Sequence, residues 1–288
     1  MTTPKSPKGT SRKPENVLPM SKSSMESILS QITGVAASGS ALNRAQEIMY
    51  EASEEPNPAA RVKLARKALE ISSDCADAYV MLAEHIPTNL EEALKLYQQG
   101  VEAGVRAIGK ERFEEYRGHF WGVLETRPYM RAKAGVASCL WELGRRIEAL
   151  DHYGEMLDLN PNDNQGIRDV LLSSLLEMKL DDLAAKLLRA YSEDPTAQWA
   201  YSKALLAFRH DGDSAKSQKL LAAAINCNPF VPAYLLGTKK IPRRLPDVVG
   251  FGDESEAIGY AGDNVSGWRD THGALGWLRE FVKAAGKV

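Results

Sequence analysis

Acid–base chemistry needs a proton acceptor, a group to orient it and a charge to hold the substrate, and one stretch of this chain comes near that set. Residues 105–135 read VRAIGKERFEEYRGHFWGVLETRPYMRAKAG and place His119, Trp121, Glu125 and Arg127 close together. An imidazole there could take a proton near neutral pH, Glu125 could orient it, and Arg127 could hold an anion. A second reading stays open beside it: Phe120 and Trp121 plug a gap between helices while Arg127 pairs with Glu125 or a helix end, since aromatics in insertions commonly pack. Elsewhere the reactive residues are scattered. His85, His152, His210 and His272 have no His or Cys three or four residues away, so no metal site is expected, and His152 is placed on an outer, solvated helix face. There is no GxGxxG after a strand, no GxxxxGK[ST], no HExxH and no GxSxG. Cys139 and Cys227 fall at helix positions expected to be partly buried, and with Cys75 they lack a CxxC spacing. The expectation is a protein without catalytic residues, cofactor or metal.

Composition supports a soluble, cytoplasmic class. Of 288 residues, 44% are hydrophobic, and 36 Lys and Arg nearly balance 38 Asp and Glu for a net charge of −2. Such a balance gives no global field toward nucleic acid or an acidic surface. The only dense basic run in the folded part, Lys239, Lys240, Arg243 and Arg244, has DESE close behind it, so no nucleic-acid binding is expected. The longest apolar-looking run, Leu220 to Thr238, is interrupted by Asn226, Asn228, Pro229 and Pro232 and is not a membrane span. No apolar core of signal-peptide type follows the N-terminus, and three widely separated cysteines fit a reducing compartment.

What must position any site is helical. Residues 1–40 read as a disordered basic tail and linker, with Lys5, Lys8, Arg12, Lys13 and Lys22 against Glu15 in the first part, and a turn or two of helix after Ser23. From Ala41 to Pro229, small and apolar residues recur at intervals of three and four, without strand-like alternation. The reading is all-α, with short turns and therefore antiparallel neighbours. Val136, Ala137, Leu140, Gly144, Ala149, Tyr153 and Pro161 fall in the order apolar, small, bulky, turn, small, large, Pro. Tyr79, Leu82, Ala83, Ile86, Ala93 and Tyr97 repeat it; so do Leu171, Leu172, Leu175, Ala184 and Leu188, with Lys179 in the place of the turn Gly. A further copy runs through Tyr201, Ala204, Phe208, Gly212, Leu221, Ala224 and Pro229, 68 residues after Pro161. That is twice a period of about 34 residues. On these residues the chain resembles the tetratricopeptide repeat superfamily over 41–229, with an insertion at about 105–128. The resemblance implies a helix-hairpin solenoid, a concave groove lined by the first helix of each pair, and binding of a peptide or partner protein.

Residues 230–288 read as a Pro-punctuated crossover followed by two capping helices. Asp253 is expected as the N-cap of the first, with Glu256 in the capping-box place. Here NPFVPAYLLG, GDESEAIGYA and GALGWL are similar to the C-terminal order of the suppressor-of-tumorigenicity-seven family. That family has membrane-spanning members, so its localisation is not carried across. First-helix positions beside the repeat's core set assign Arg131, Ala134, Ser138, Trp141 and Glu142, then Trp199, Ser202, Leu206, Arg209 and His210, to the groove. Paired Trp and Arg suit an acidic or C-terminal peptide, although Ala134 and Ser138 stand where chaperone-binding members carry Lys and Asn. Burial of Trp141 and Trp199 between repeats is the competing reading. The function expected is a non-catalytic interaction scaffold; an accessory or regulatory module is the alternative, and an enzyme using 105–131 comes third.

Overall fold

The computed structural model describes residues 25–27, 29, 40–244, 246, 248–284 and 286; the basic tail read in 1–22 lies outside them. Helical hairpins follow one another from Ala41. α1 (Ala41–Glu54) pairs with α2 (Pro58–Ile71), and α3 (Ala76–His85) with α4 (Leu90–Ile108). A short α5 (Lys110–Glu115) and two 3-10 turns lead into α6 (Arg127–Glu142), which pairs with α7 (Arg146–Leu159). Then α8 (Ile167–Glu177) pairs with α9 (Asp181–Ala190), and α10 (Ala197–Asp211) with α11 (Ala215–Cys227). No strand occurs among the described residues. The described residues form an all-α solenoid of helical hairpins with a C-terminal helical cap.

Local chemistry sets these boundaries. Side-chain oxygens of Ser40, Asn57, Asn89, Thr196 and Ser214 accept from the free amides at the starts of α1, α2, α4, α10 and α11. The second helices of the last three hairpins begin at Arg146, Asp181 and Ala215, spacings of 35 and 34 residues. Inside each of these hairpins the small position is sealed: Ala149, Ala184 and Ser217 have no exposed surface. Helices α4 and α6 approach still more closely, because Gly100 and Gly104 face Ala132 and Tyr129, and a Cβ on Gly135 would lie 2.2 Å from the Tyr97 ring.

The turns of two hairpins are built alike with different residues. After α6, the Gly144 amide bonds the Trp141 carbonyl and the Arg145 amide bonds that of Leu140. After α8, Lys179 bonds Leu176 and Leu180 bonds Leu175 in the same pattern. Gly144 takes φ +77° and Lys179 takes φ +57°, so a residue with a Cβ occupies a left-handed position that glycine fills without strain.

The cap comprises α12 (Val231–Leu235), α13 (Glu254–Arg269) and α14 (Ala274–Ala284). It shares one core with the last hairpin: Tyr201, Leu205, Leu221 and Ile225 bury together with Tyr234, Tyr260, Trp268 and Leu278. Its longest helix does not simply stack on the end, because α13 lies against α8 and α10, the first helices of two successive hairpins. Asp253 caps α13 by accepting from the amides of Ser255 and Glu256. The reciprocal half of the expected capping box is replaced: the buried Glu256 carboxylate accepts from the Ala197 amide at 2.9 Å, Asn228 Nδ2 at 2.8 Å and the Gly252 amide at 2.8 Å. It ties the start of α10 to the cap.

Because Lys179 takes a left-handed conformation with an exposed side chain, Lys179→Gly is expected to stabilise the fold by about 1 kcal/mol, the relieved strain outweighing the added chain entropy. Urea unfolding of the two proteins checks this, and a lower midpoint for the variant would count against the turn geometry.

Candidate partner-binding face

The first helices α1, α3 and α6 carry a polar chain across their shared face. Gln46 of α1 donates to Asp77 of α3 at 2.7 Å, and Asp77 accepts two bonds from Arg131 of α6, at 2.8 and 2.6 Å. Arg131 also donates to both oxygens of Glu26 at 3.1 Å. One turn earlier on α6, Arg127 reaches the same carboxylate at 3.0 Å, bonds the Trp121 carbonyl at 2.9 Å and lies over the Trp121 ring. Glu26 belongs to the stretch read as tail and linker, yet its side chain is 8% exposed. Burial opposes the charge on Arg131, but the Asp77 and Glu26 carboxylates outweigh it and hold its pKa above the ordinary arginine value. Nearby, burial and then the same two carboxylates push the Tyr50 phenol up to about 12.

Further along α6, Ser138 and Glu142 are exposed and Trp141 is partly buried, with the Arg146 guanidinium stacked 4.8 Å from its ring centre. The remaining residues assigned to the groove have a different fate. Trp199 has no exposed surface and packs edge-on to Tyr191, with Arg168 over its ring. Ser202 is fully buried as well. Arg209 is 7% exposed: it donates to Asp181 at 2.7 Å, to the carbonyls of Leu176 and Gly267 at 2.9 and 3.2 Å, and to Thr271 Oγ1 at 2.8 Å. Gln198 is bonded by Asn264 of α13 at 2.9 Å and itself donates to Ser173 of α8 at 2.9 Å. So α13 covers this half of the face at Gln198, Ser202 and Arg209, while Trp199 is buried between adjacent hairpins, as the competing reading holds. His210 stays exposed beside Asp211.

The insertion is held by packing. Phe120 is fully buried in a three-ring cluster with Phe113 and Tyr129, its ring centres 4.7 and 5.8 Å from theirs. Thr126 Oγ1 donates to the Phe120 and Val123 carbonyls, and the Gly118 amide bonds the last carbonyl of α7 at 2.9 Å. The residues that could do acid–base work are engaged separately: Glu125 pairs with Arg112, Arg127 with Glu26, and His119 is exposed. Arg127 therefore pairs with Glu26 rather than Glu125, and its bond to the Trp121 carbonyl is to the end of a short 3-10 helix. Another correction concerns His152, which is half-buried with its Nδ1 3.2 Å from Lys133 Nζ. Burial, and then the Lys133 charge, lower its pKa, while Lys133 itself is buried against Glu155.

Among the described residues no cluster of His, Cys, Asp and Glu could hold a metal, and no helix is long and apolar enough to cross a membrane. The family model described as ST7 protein matches residues 31–285. The chain belongs to the ST7 family. Relatives in that family include the Suppressor of tumorigenicity 7 protein-like of Bos taurus, 31% identical over 260 residues, and the Protein ST7 homolog of Drosophila melanogaster, 29% identical over 263. Each alignment covers 83% of this chain but 47% and 49% of the relative, so the chain spans about half the length of the curated relatives it matches. Among solved structures, YrrB, described as a TPR protein with an unusual peptide-binding site, aligns with a TM-score of 0.45 and 17% identity, over 71% of this chain and 92% of that one.

In this family member two buried groups away from the exposed part of the face yield tests. Arg209 ties α10 to carbonyls in the last turns of α8 and α13 and to Asp181, so Arg209→Ala removes several charge-assisted bonds at once and leaves a gap where a buried side chain stood. It is expected to destabilise the fold by roughly 3 kcal/mol; an unchanged urea midpoint would contradict the arrangement.

Asp169 on α8 has its Oδ1 buried without a hydrogen-bond partner, and burial, with Asp194, Asp163 and Asp263 adding to it against Arg168, pushes its pKa from 3.8 to about 6. Between those values the folded chain keeps a proton that the unfolded chain has lost, so this group's contribution to stability falls as pH rises through the window. Asp169→Asn should therefore melt with the parent at pH 4 and above it at pH 8, by on the order of 1 kcal/mol after allowance for partial exposure. Equal melting at both pH values would show that Asp169 titrates normally.

Proposed function

We propose that this chain is a non-catalytic interaction scaffold that holds a peptide or partner protein against the N-terminal half of its first-helix face, along α1, α3 and α6. The tetratricopeptide-type fold suggests such a role. The observation that carries it is the seating of α13: the same face, over α8 and α10, receives a helix and binds it through Gln198, Arg209 and an aromatic core. A surface that accommodates one amphipathic helix in this way is suited to another, as helix-in-groove recognition commonly is. On α6 the face continues past Arg131 with Ser138 and Glu142 exposed and a Trp available as an anchor, the residue type that most often dominates interface energies. The partner is taken to be a protein rather than nucleic acid, and Lys239 in the one basic run is paired with Glu254. Glu125 and Arg127 are each paired with another residue and His119 is exposed, which supports a non-catalytic role.

A photo-crosslinking residue placed at Ser138, on the first-helix face, and at the exposed Leu183 of α9, on the second-helix side, tests the reading in native lysate. A specific partner should be captured from position 138, and Trp141→Ala should weaken that partner by about 1–2 kcal/mol without lowering the melting temperature. Capture of the same partner from position 183 alone would place binding elsewhere.

A further inference from the structure

Arg127 and Arg131 stand one turn apart on α6 and converge on a single carboxylate that comes from far away in the chain. Glu26 is separated from them by 101 and 105 positions, and the family match, which includes both arginines, begins at residue 31. Each guanidinium is also held from behind. Arg131 is fixed by the two bonds to Asp77, which Gln46 in turn orients, and Arg127 by the Trp121 carbonyl and ring. Both forks are thus oriented by groups other than Glu26, which is the preorganisation a binding site needs.

We propose that the Arg127–Arg131 pair is a receptor for an acidic side chain of a partner peptide, and that Glu26 occupies it in cis. The inference rests on the scaffold reading and names the chemistry of its partner. Charge decides in favour of a carboxylate: two arginines against Asp77 leave one net positive charge, which one carboxylate balances and a dianionic phosphate would exceed. Geometry agrees, since Glu26 Oε1 takes a bond from each arginine and Oε2 a second from Arg131. The only residues between Glu26 and α1 are 27–40, and a tether of that length gives an effective concentration on the order of millimolar. An acidic partner must outcompete that occupant, so the segment around Glu26 sets the threshold for binding.

The test uses the full chain and, as probe, a labelled peptide of residues 22–32, KSSMESILSQI, with a second peptide carrying Gln in place of its Glu. Glu26→Gln in the full chain should bind the acidic peptide about tenfold more tightly than the parent does, by removal of the cis competitor. The Gln peptide should bind neither protein, and adding Arg127→Gln to the Glu26→Gln chain should abolish the gain, with thermal melts showing that both variants remain folded. A variant that fails to fold is replaced by Glu26→Ala or Arg127→Lys and read in the same way. No gain in affinity, equal binding of the Gln peptide, or competition by inorganic phosphate stronger than by acetate at matched ionic strength would each overturn the proposal. If the cross-link from position 138 persists in that event, the scaffold reading stands and only the carboxylate receptor falls. If the peptide behaves as expected while position 138 captures nothing, the reverse holds.

Discussion

Covering the first-helix face of the last two hairpins is the constraint on which the C-terminal half of this protein rests. That face carries Tyr201, Ser202 and Leu205, which bury with Tyr260 and Trp268 of α13, and together they would leave a large apolar area in water if α13 were absent. Apolar burial alone does not fix how α13 lies. Its orientation comes from three polar ties: Asn264 to Gln198, Glu256 to the Ala197 amide, and the Arg209 guanidinium reaching the Gly267 carbonyl. A shift of the helix breaks all three, and the buried Ala197 amide would then be left unpaired, at a cost of roughly 1–3 kcal/mol. The cap is therefore part of the solenoid's core.

At the other end the same kind of face is handled with charge. Between α3 and α6 the contact is narrow enough for Asp77 and Arg131 to meet directly, and Glu26 completes the set. An amphipathic helix and a charged cluster thus occupy the two halves of one surface, with the exposed part of α6 between them. Charge-assisted bonds of this type are strong but exchangeable with any carboxylate of equal geometry, whereas the α13 seat depends on a shared aromatic core. This difference in physical character is why partner binding is assigned to the N-terminal half.

The hairpins were legible in the sequence because their determinants are local. Ala149 and Ala184 seal the helix pairs where the repeat places them, and the turn at Lys179 takes the geometry of the turn at Gly144. Helical spacing also assigned residues to the first-helix face, but spacing identifies a face without identifying what covers it. Arg209 looked available for a partner because nothing local announces that residues some 60 positions later fold back over it, and Trp199 because spacing alone does not show that Tyr191 and Arg168 enclose its ring. Glu26 was hidden for a related reason, sitting in a low-complexity stretch whose partners lie more than a hundred residues away. A weak signal existed for Glu256: a carboxylate three residues after an N-cap, in a segment whose neighbours Ala257, Tyr260 and Ala261 all bury, is itself turned inward.

Native-state hydrogen exchange, resolved by peptide, tests most directly whether α13 is built into the face. The account predicts that amides of 257–268 exchange together with those of 199–210 through one cooperative opening, with protection close to the global stability of this half. Exchange of α13 well ahead of α10, leaving α10 protected, would contradict it and return Gln198 and Arg209 to the surface available for a partner.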